Sequence, residues 1–256
     1  PAPLMTSLDM RGFSVSVYPV NKEDETLLAA PCRPSAWPGC KAVRPVAVKE
    51  LPDGLMPIQP IPSRHDQTAS FLTRWCQVLM ESEADLNALD AKSGDGDTGS
   101  TLAGAASALL GALERMPLAD HTQLYRAIGQ ELSQTMGGSS GVLLAIFFTA
   151  AGDAASGGQP RVAALKEGLN RMQTIGGAQL GDRTMVDALK PALDALDDGY
   201  AAAAEAARKG AVHTSTIVKA KVGRASYINA DQLNGHIDPG AEAVARLFES
   251  LAAHRS

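Results

Sequence analysis

Residues 120–136 read DHTQLYRAIGQELSQTM. Leu124, Ile128, Leu132 and Met136 recur every four positions, so one stripe of an α-helix carries all four and turns them toward a core. Asp120 stands where an N-cap acceptor belongs. The same spacing extends in both directions. Upstream, Phe71, Leu72, Trp75, Val78 and Leu79 share one helical face. Downstream, Val162, Leu165, Leu169 and Met172 follow Pro160, a proline suited to a first turn. Met185, Leu189, Leu193 and Leu196 come next, and Pro191 is expected to kink that helix or to sit in its first turns. Residues 200–208 are mostly alanine, the best helix former. Pro239 opens a last helix with Val244, Leu247 and Leu251 facing inward. With segments near 98–115 and 139–155, the sequence predicts eight helices and no strand from about residue 67 onward. This part is all-α.

The first 66 residues are written differently. They hold most of the fifteen prolines and two of the three cysteines. Phe13-Ser14-Val15-Ser16-Val17-Tyr18 alternates with period two and predicts one strand. The proline-dense stretch 31–66 prevents helix and weakens sheet pairing, so a linker is expected there. A lone strand cannot hold together by itself, which makes residues 1–30 the expected end of another domain. The chain opens Pro1-Ala2-Pro3 without an initiator methionine, and a piece of a longer protein is expected.

The chain's 256 residues suffice for one sizeable core with an appendage. With 23 basic and 28 acidic residues the net charge is −5, and no Lys/Arg run stands out, which speaks against nucleic-acid binding. No window reads as the roughly 18–20 consecutive apolar residues of a bilayer span, so no membrane association is expected. Cys32, Cys40 and Cys76 form no CxxC pair and read as reduced thiols of a cytoplasmic protein.

Residues 89–99, LDAKSGDGDTG, carry the chemistry. Asp90, Asp95 and Asp97 fall in one glycine-broken loop. Three carboxylates this close repel one another unless a cation lies between them. An all-oxygen, hard ligand set suits Mg²⁺ or Ca²⁺, and the EF-hand spacing with its final Glu is absent. The plain alternative is a solvated turn in which Asp97 merely caps the next helix. Thr98-Gly99-Ser100-Thr101 follows directly, and Gly137-Gly138-Ser139-Ser140-Gly141 precedes the apolar run from Val142. Glycines before a helix let backbone N–H groups approach an anion, and the helix N-terminus favours negative charge there. Taken singly, each is an ordinary capped helix. Taken together with the acidic loop, they predict metal–nucleotide binding without a Walker A motif. Two further loops, GDRTM at 181–185 and GRASY at 223–227 followed by HIDPG at 236–240, lead into helices. Asp238 reads as an N-cap with Pro239 at the first helical position.

In this order GDGDTG, GGSSG, GDRTM and GRASY with HIDPG closely resemble the motifs of the nucleotide-binding (L) domain of dihydroxyacetone kinases, over residues 67–254. LMTSLDMRGFS at 4–14 resembles the end of the substrate-binding (K) domain of the single-chain, ATP-dependent members. The resemblance implies a K-domain remnant at 1–30, a linker at 31–66 and an L domain at 67–256. It further implies a closed antiparallel eight-helix barrel with the nucleotide among the loops at one end. Asp90, Asp95 and Asp97 would then hold two Mg²⁺ ions that bridge the phosphates of ATP. Thr98, Gly99, Ser100 and Thr101, with Ser139 and Ser140, would contact the phosphates. Gly181, Thr184 and Met185 would line the adenine side, and Arg224, Asp238, Pro239 and Gly240 would close the pocket. Relay members that keep ADP as a fixed cofactor often carry His where this chain has Thr98, so exchangeable ATP is expected as donor. The family's covalent substrate-holding histidine belongs to the K domain, and His65, His121, His213, His236 and His254 do not match its context. The implied activity is ATP-dependent phosphorylation of dihydroxyacetone, glyceraldehyde or erythrulose. In it this chain supplies the Mg-ATP half of a cytoplasmic homodimer. The alternatives are a relay L subunit with tightly bound ADP and a non-catalytic helical binding module.

Overall fold

The computed structural model describes residues 19–31 and 60–253, and the chain divides into two units, Pro1–Pro57 and Ile58–Ser256. In the first unit a short helix, α1 (Lys22–Ala29), starts behind Asn21. Asn21 Oδ1 accepts from the N–H groups of Glu23 and Asp24 at 2.8 and 2.9 Å, and the Asp24 carboxylate accepts from the Asn21 N–H. This is a capping box. The sequence reading assigns no helix here. The strand expected at 13–18 and residues 32–59 of the linker lie outside the described residues.

The second unit runs α2 (Asp66–Glu81), α3 (Glu83–Asp90), α4 (Thr98–Ala112), α5 (His121–Thr135), α6 (Gly138–Ser156), α7 (Arg161–Gly176), α8 (Val186–Asp194), α9 (Tyr200–Thr214), α10 (Ala230–Leu233) and α11 (Pro239–Ala253). The eight helices predicted from apolar spacing are all present; α3 and the single-turn α10 are additional. Among the described residues there is no strand, only an isolated bridge between Ser63 and Pro117 that pins the chain as it enters α2. Asp120 caps α5 as expected, accepting from the N–H groups of Thr122 and Gln123. Pro191 lies inside α8, which ends within a turn of it, at Asp194.

Consecutive long helices pack on one another in chain order, and α11 packs back on α2. Alanines fill the α8–α9–α11 seam: Ala188, Ala192, Ala203, Ala207, Ala211 and Ala245 are fully buried. Side chains this small let helix axes approach closely. Gly210 shows how closely, because a Cβ there would lie 2.0 Å from the Asp187 carbonyl oxygen. Gly210→Ala is therefore expected to destabilise the domain by about 1–3 kcal/mol, read by chemical denaturation, through overpacking at a backbone atom that cannot yield.

An ion-pair network joins α9, α11 and the start of α3. The buried carboxylate of Glu242 accepts from Arg208 and Arg246. Arg208 also pairs with Glu249 at 2.7 Å, and Arg246 reaches Ser82 and Asp85 at 3.1 and 3.0 Å. The helices surround an apolar cavity of about 650 Å³, lined among others by Leu72, Leu102, Ile128, Phe148, Leu189 and Val244. α6, with 19 residues, is long and apolar enough to cross a bilayer by length and composition. Here it is flanked by α5 and α7, which bury Gly141, Ala145, Phe147, Ala151 and Gly152.

Candidate functional site

The loop between α3 and α4 is shaped by one carboxylate. Asp90, the last residue of α3, is buried, and its Oδ2 accepts from three successive backbone N–H groups: Gly96 at 3.1 Å, Asp97 at 3.0 Å and Thr98 at 3.1 Å. The other oxygen faces Gly94 so closely that a Cβ there would lie 2.3 Å from it. Gly96 takes φ +81°, a left-handed turn that glycine adopts without strain. Folded this way, the loop brings ligand oxygens of Asp90, Asp95 and Asp97 within 4.8 Å of one another. Asp95 and Asp97 are exposed at its mouth. Asp97 precedes α4 but makes no capping bond to it, so capping does not explain this aspartate. An ion with oxygen ligands at about 2.0–2.6 Å fits between oxygens so spaced, and the donor set is the hard, all-carboxylate kind that Mg²⁺ or Ca²⁺ takes.

The residues predicted to meet phosphate follow at once. Thr98, Gly99, Ser100 and Thr101 form the first turn of α4. Gly99 is buried against α3, where a Cβ would lie 2.1 Å from the Glu83 carbonyl oxygen. Ser100 is tied into the protein: its N–H donates to Asn87 Oδ1, and its hydroxyl donates to Glu83 at 2.7 Å and accepts from Asn87. Ser139 and Ser140 stand in the first turn of α6, exposed and half-buried respectively, behind Gly138 at φ +73°.

A second carboxylate shapes the loop before α8. Asp187, 3% exposed, accepts from the Gly181 N–H at 2.6 Å and the Thr184 N–H at 2.8 Å. It does for this loop what Asp90 does for the first, and sequence reasoning missed it. An acidic residue in a first helical turn looks like an ordinary dipole partner. The Thr184 hydroxyl accepts from the Val186 N–H, and Met185 immediately precedes α8. Met185 in turn lies against the start of α11: a Cβ on Gly240 would be 3.3 Å from the Met185 Cβ. Gly181–Met185 and Asp238–Gly240, predicted as two parts of one pocket, are thus adjacent. Asp238 caps α11, its Oδ1 accepting from the Ala241 N–H at 2.8 Å, and Pro239 is the first helical residue. Burial pushes the Asp238 carboxyl up to about 6; Asp187 adds to the shift, while the Ala241 N–H and Arg183 oppose it. Arg224 opens a short 3-10 turn, Arg224–Tyr227, in the segment that joins α9 to α11.

Leu102, Met136, Met185 and Gly240, near the starts of α4, α6, α8 and α11, all line the central cavity. A helical domain whose loops present three clustered carboxylates beside glycine-rich helix starts has the features of a site for metal-complexed phosphates. Its family is shown directly. The DAK2 domain matches residues 92–253, and the chain belongs to that family, the L domain of dihydroxyacetone kinases. The dihydroxyacetone kinase of Citrobacter freundii is 42% identical over an alignment of 257 positions that covers 98% of this chain and 47% of that protein. Its crystal structure in complex with AMP-PNP and Mg²⁺ superposes with a TM-score of 0.70 at 38% identity, covering 91% of this chain and 42% of that one. The ADP-binding subunit DhaL of a PTS-dependent dihydroxyacetone kinase from Lactococcus lactis is 32% identical over 73% of this chain and 95% of its own length. The chain spans about half the length of the first of these relatives.

Proposed function

We propose that this chain is the Mg-nucleotide half of an ATP-dependent kinase that phosphorylates dihydroxyacetone or a related short sugar such as glyceraldehyde or erythrulose. The observation that carries the reading is the gathering of the Asp90, Asp95 and Asp97 oxygens within 4.8 Å, at the start of α4. The Mg²⁺ and AMP-PNP of the Citrobacter structure support it. Bound there, two Mg²⁺ ions would neutralise the charge that develops on a transferred phosphoryl group. The protein's own part is positional. Asp90 shapes the loop, the first turns of α4 and α6 offer the Gly99 N–H, the hydroxyls of Thr98 and Thr101, and the N–H and hydroxyl groups of Ser139 and Ser140, and Gly181, Thr184, Met185, Arg224 and Asp238–Gly240 enclose the base. Ser100, whose N–H and hydroxyl are held by Asn87 and Glu83, fixes the first turn of α4 against α3.

The helix order, with α11 returning to α2, supports a closed antiparallel eight-helix barrel whose loops at one end carry the site. The substrate and its covalent histidine belong to a K domain, in the same polypeptide or a partner chain, and the whole enzyme is a cytoplasmic homodimer on this reading. The chain alone is therefore expected to bind Mg-ATP yet turn over dihydroxyacetone poorly. Calorimetric titration of ATP with Mg²⁺ and then with EDTA tests the core of it: binding that needs Mg²⁺ is expected, and absence of binding in both would refute the reading. The Lactococcus subunit, matched over nearly its whole length, favours a second reading with tightly held ADP. Nucleotide that co-purifies and resists dialysis would decide for that one.

A further inference from the structure

Arg183 is the most deeply buried cation among the described residues, 1% exposed, and the single non-glycine there with a left-handed backbone, φ +62°. A bulky residue holds that conformation only where its surroundings impose it, and such positions gather at functional sites. Its Nη2 donates to the main-chain oxygens of Leu233, at 3.3 Å, and His236, at 2.6 Å. Nε and Nη1 have no hydrogen-bond partner. Its neighbour Asp182, also buried, pairs with Lys221 Nζ at 2.9 Å. The two adjacent residues therefore grip one connecting segment, Ser215–Asp238, in its first third and near its end. That segment carries Arg224 and delivers Asp238-Pro239-Gly240 to Met185.

We propose that Asp182 and Arg183 form a clasp that positions the Ser215–Asp238 segment on the base side of the nucleotide, so that they govern how the adenosine half is held and leave the triphosphate–metal half alone. The proposal rests on the nucleotide reading above. Arg183 is a positioning residue: it touches main-chain oxygens of the segment, which in turn presents the groups that meet the base. One guanidinium nitrogen, Nη2, spends one N–H on each carbonyl, at the end of a rigid planar head that the flexible lysine ammonium lacks.

The test titrates the full chain with Mg-ATP and, separately, with Mg-tripolyphosphate, a probe that has the phosphates and lacks the nucleoside. Arg183→Met is expected to weaken Mg-ATP about tenfold or more while Mg-tripolyphosphate stays within about twofold. Arg183→Lys is expected to recover part of the loss. Lys221→Ala removes an exposed side chain and leaves the buried Asp182 carboxylate accepting from the Gln179 N–H; with a thermal melt to check the fold, it is expected to weaken Mg-ATP about threefold without affecting tripolyphosphate. Should Arg183→Met fail to fold, Lys221→Ala decides. An unchanged ratio of the two affinities in Lys221→Ala and in any folded Arg183 variant would overturn the clasp. A native chain that binds neither probe would overturn the nucleotide reading and the clasp with it, whereas native binding of both with no shift in the variants would overturn the clasp alone.

Discussion

Exchanging Asp95 for asparagine is expected to weaken Mg-ATP binding roughly 100-fold with no loss of fold. The change keeps shape and removes one of three negative charges converging within 4.8 Å. Asp95 is exposed, so its charge can be taken away without opening the core. The same exchange at Asp90 is a poorer experiment. Asp90 Oδ2 accepts three backbone N–H groups, and an amide oriented with its nitrogen toward them would lose all three and deform the loop. Calorimetry at fixed Mg²⁺ reads the affinity, and a thermal melt checks that the transition stays in place. An Asp95→Asn chain that binds Mg-ATP as tightly as the native one would remove the acidic loop from the site.

Glu242→Ala is the substitution expected to cost the most stability, about 2–3 kcal/mol. Breaking a fully buried pair costs about 3–5 kcal/mol, because a charge is left without a partner. Here Glu242 is 8% exposed at its side chain, while Arg208 and Arg246 are 32% and 28% exposed and can turn toward water, which lowers the figure. The same residue sets a pH dependence. Burial raises the Glu242 carboxyl, but hydrogen bonds from Arg208 and then Arg246 outweigh it and hold the group below the ordinary glutamate range. A depressed carboxylate contributes stability that is present above its unfolded value and is lost as pH falls through the folded one. Native protein is therefore expected to lose stability on acidification below about pH 4.5, and Glu242→Ala to lose less over that window. Denaturant titrations at pH 7 and pH 4 check both points. Parallel pH curves for the two chains would show that the network adds nothing.

Five of the eight predicted helices were legible because each buries one stripe that i, i+3 and i+4 spacing reports directly, and α9 was legible from its alanines. α3 was not, since it follows α2 after Ser82 alone and offers only Leu86 and Leu89 as apolar markers. The acidic cluster was legible because its three members lie within eight residues of one another in sequence. What sequence could not show were partners far along the chain. Glu242 meets Arg208 across 34 positions and Arg246 meets Ser82 across 164. Arg183 reads as one half of an ordinary Asp-Arg pair in a loop, and only the fold reveals that it is buried. The apolar run of α6 read as an ordinary core helix, although its length and composition also satisfy a membrane span; its packing against α5 and α7 is a tertiary fact. The strand and most of the linker predicted for the first 66 residues fall outside the described region and stand as expectations.

The three amides that converge on Asp90 have a kinetic consequence. They give the loop its form through bonds internal to the protein, so on the proposed reading a cation would meet ligands already in place and have little chain to order. Entry is then limited by the ion's reluctance to shed water. If nucleotide binds there as proposed, a loop that needs no refolding between one nucleotide and the next would exchange its cargo at the pace of dissociation alone.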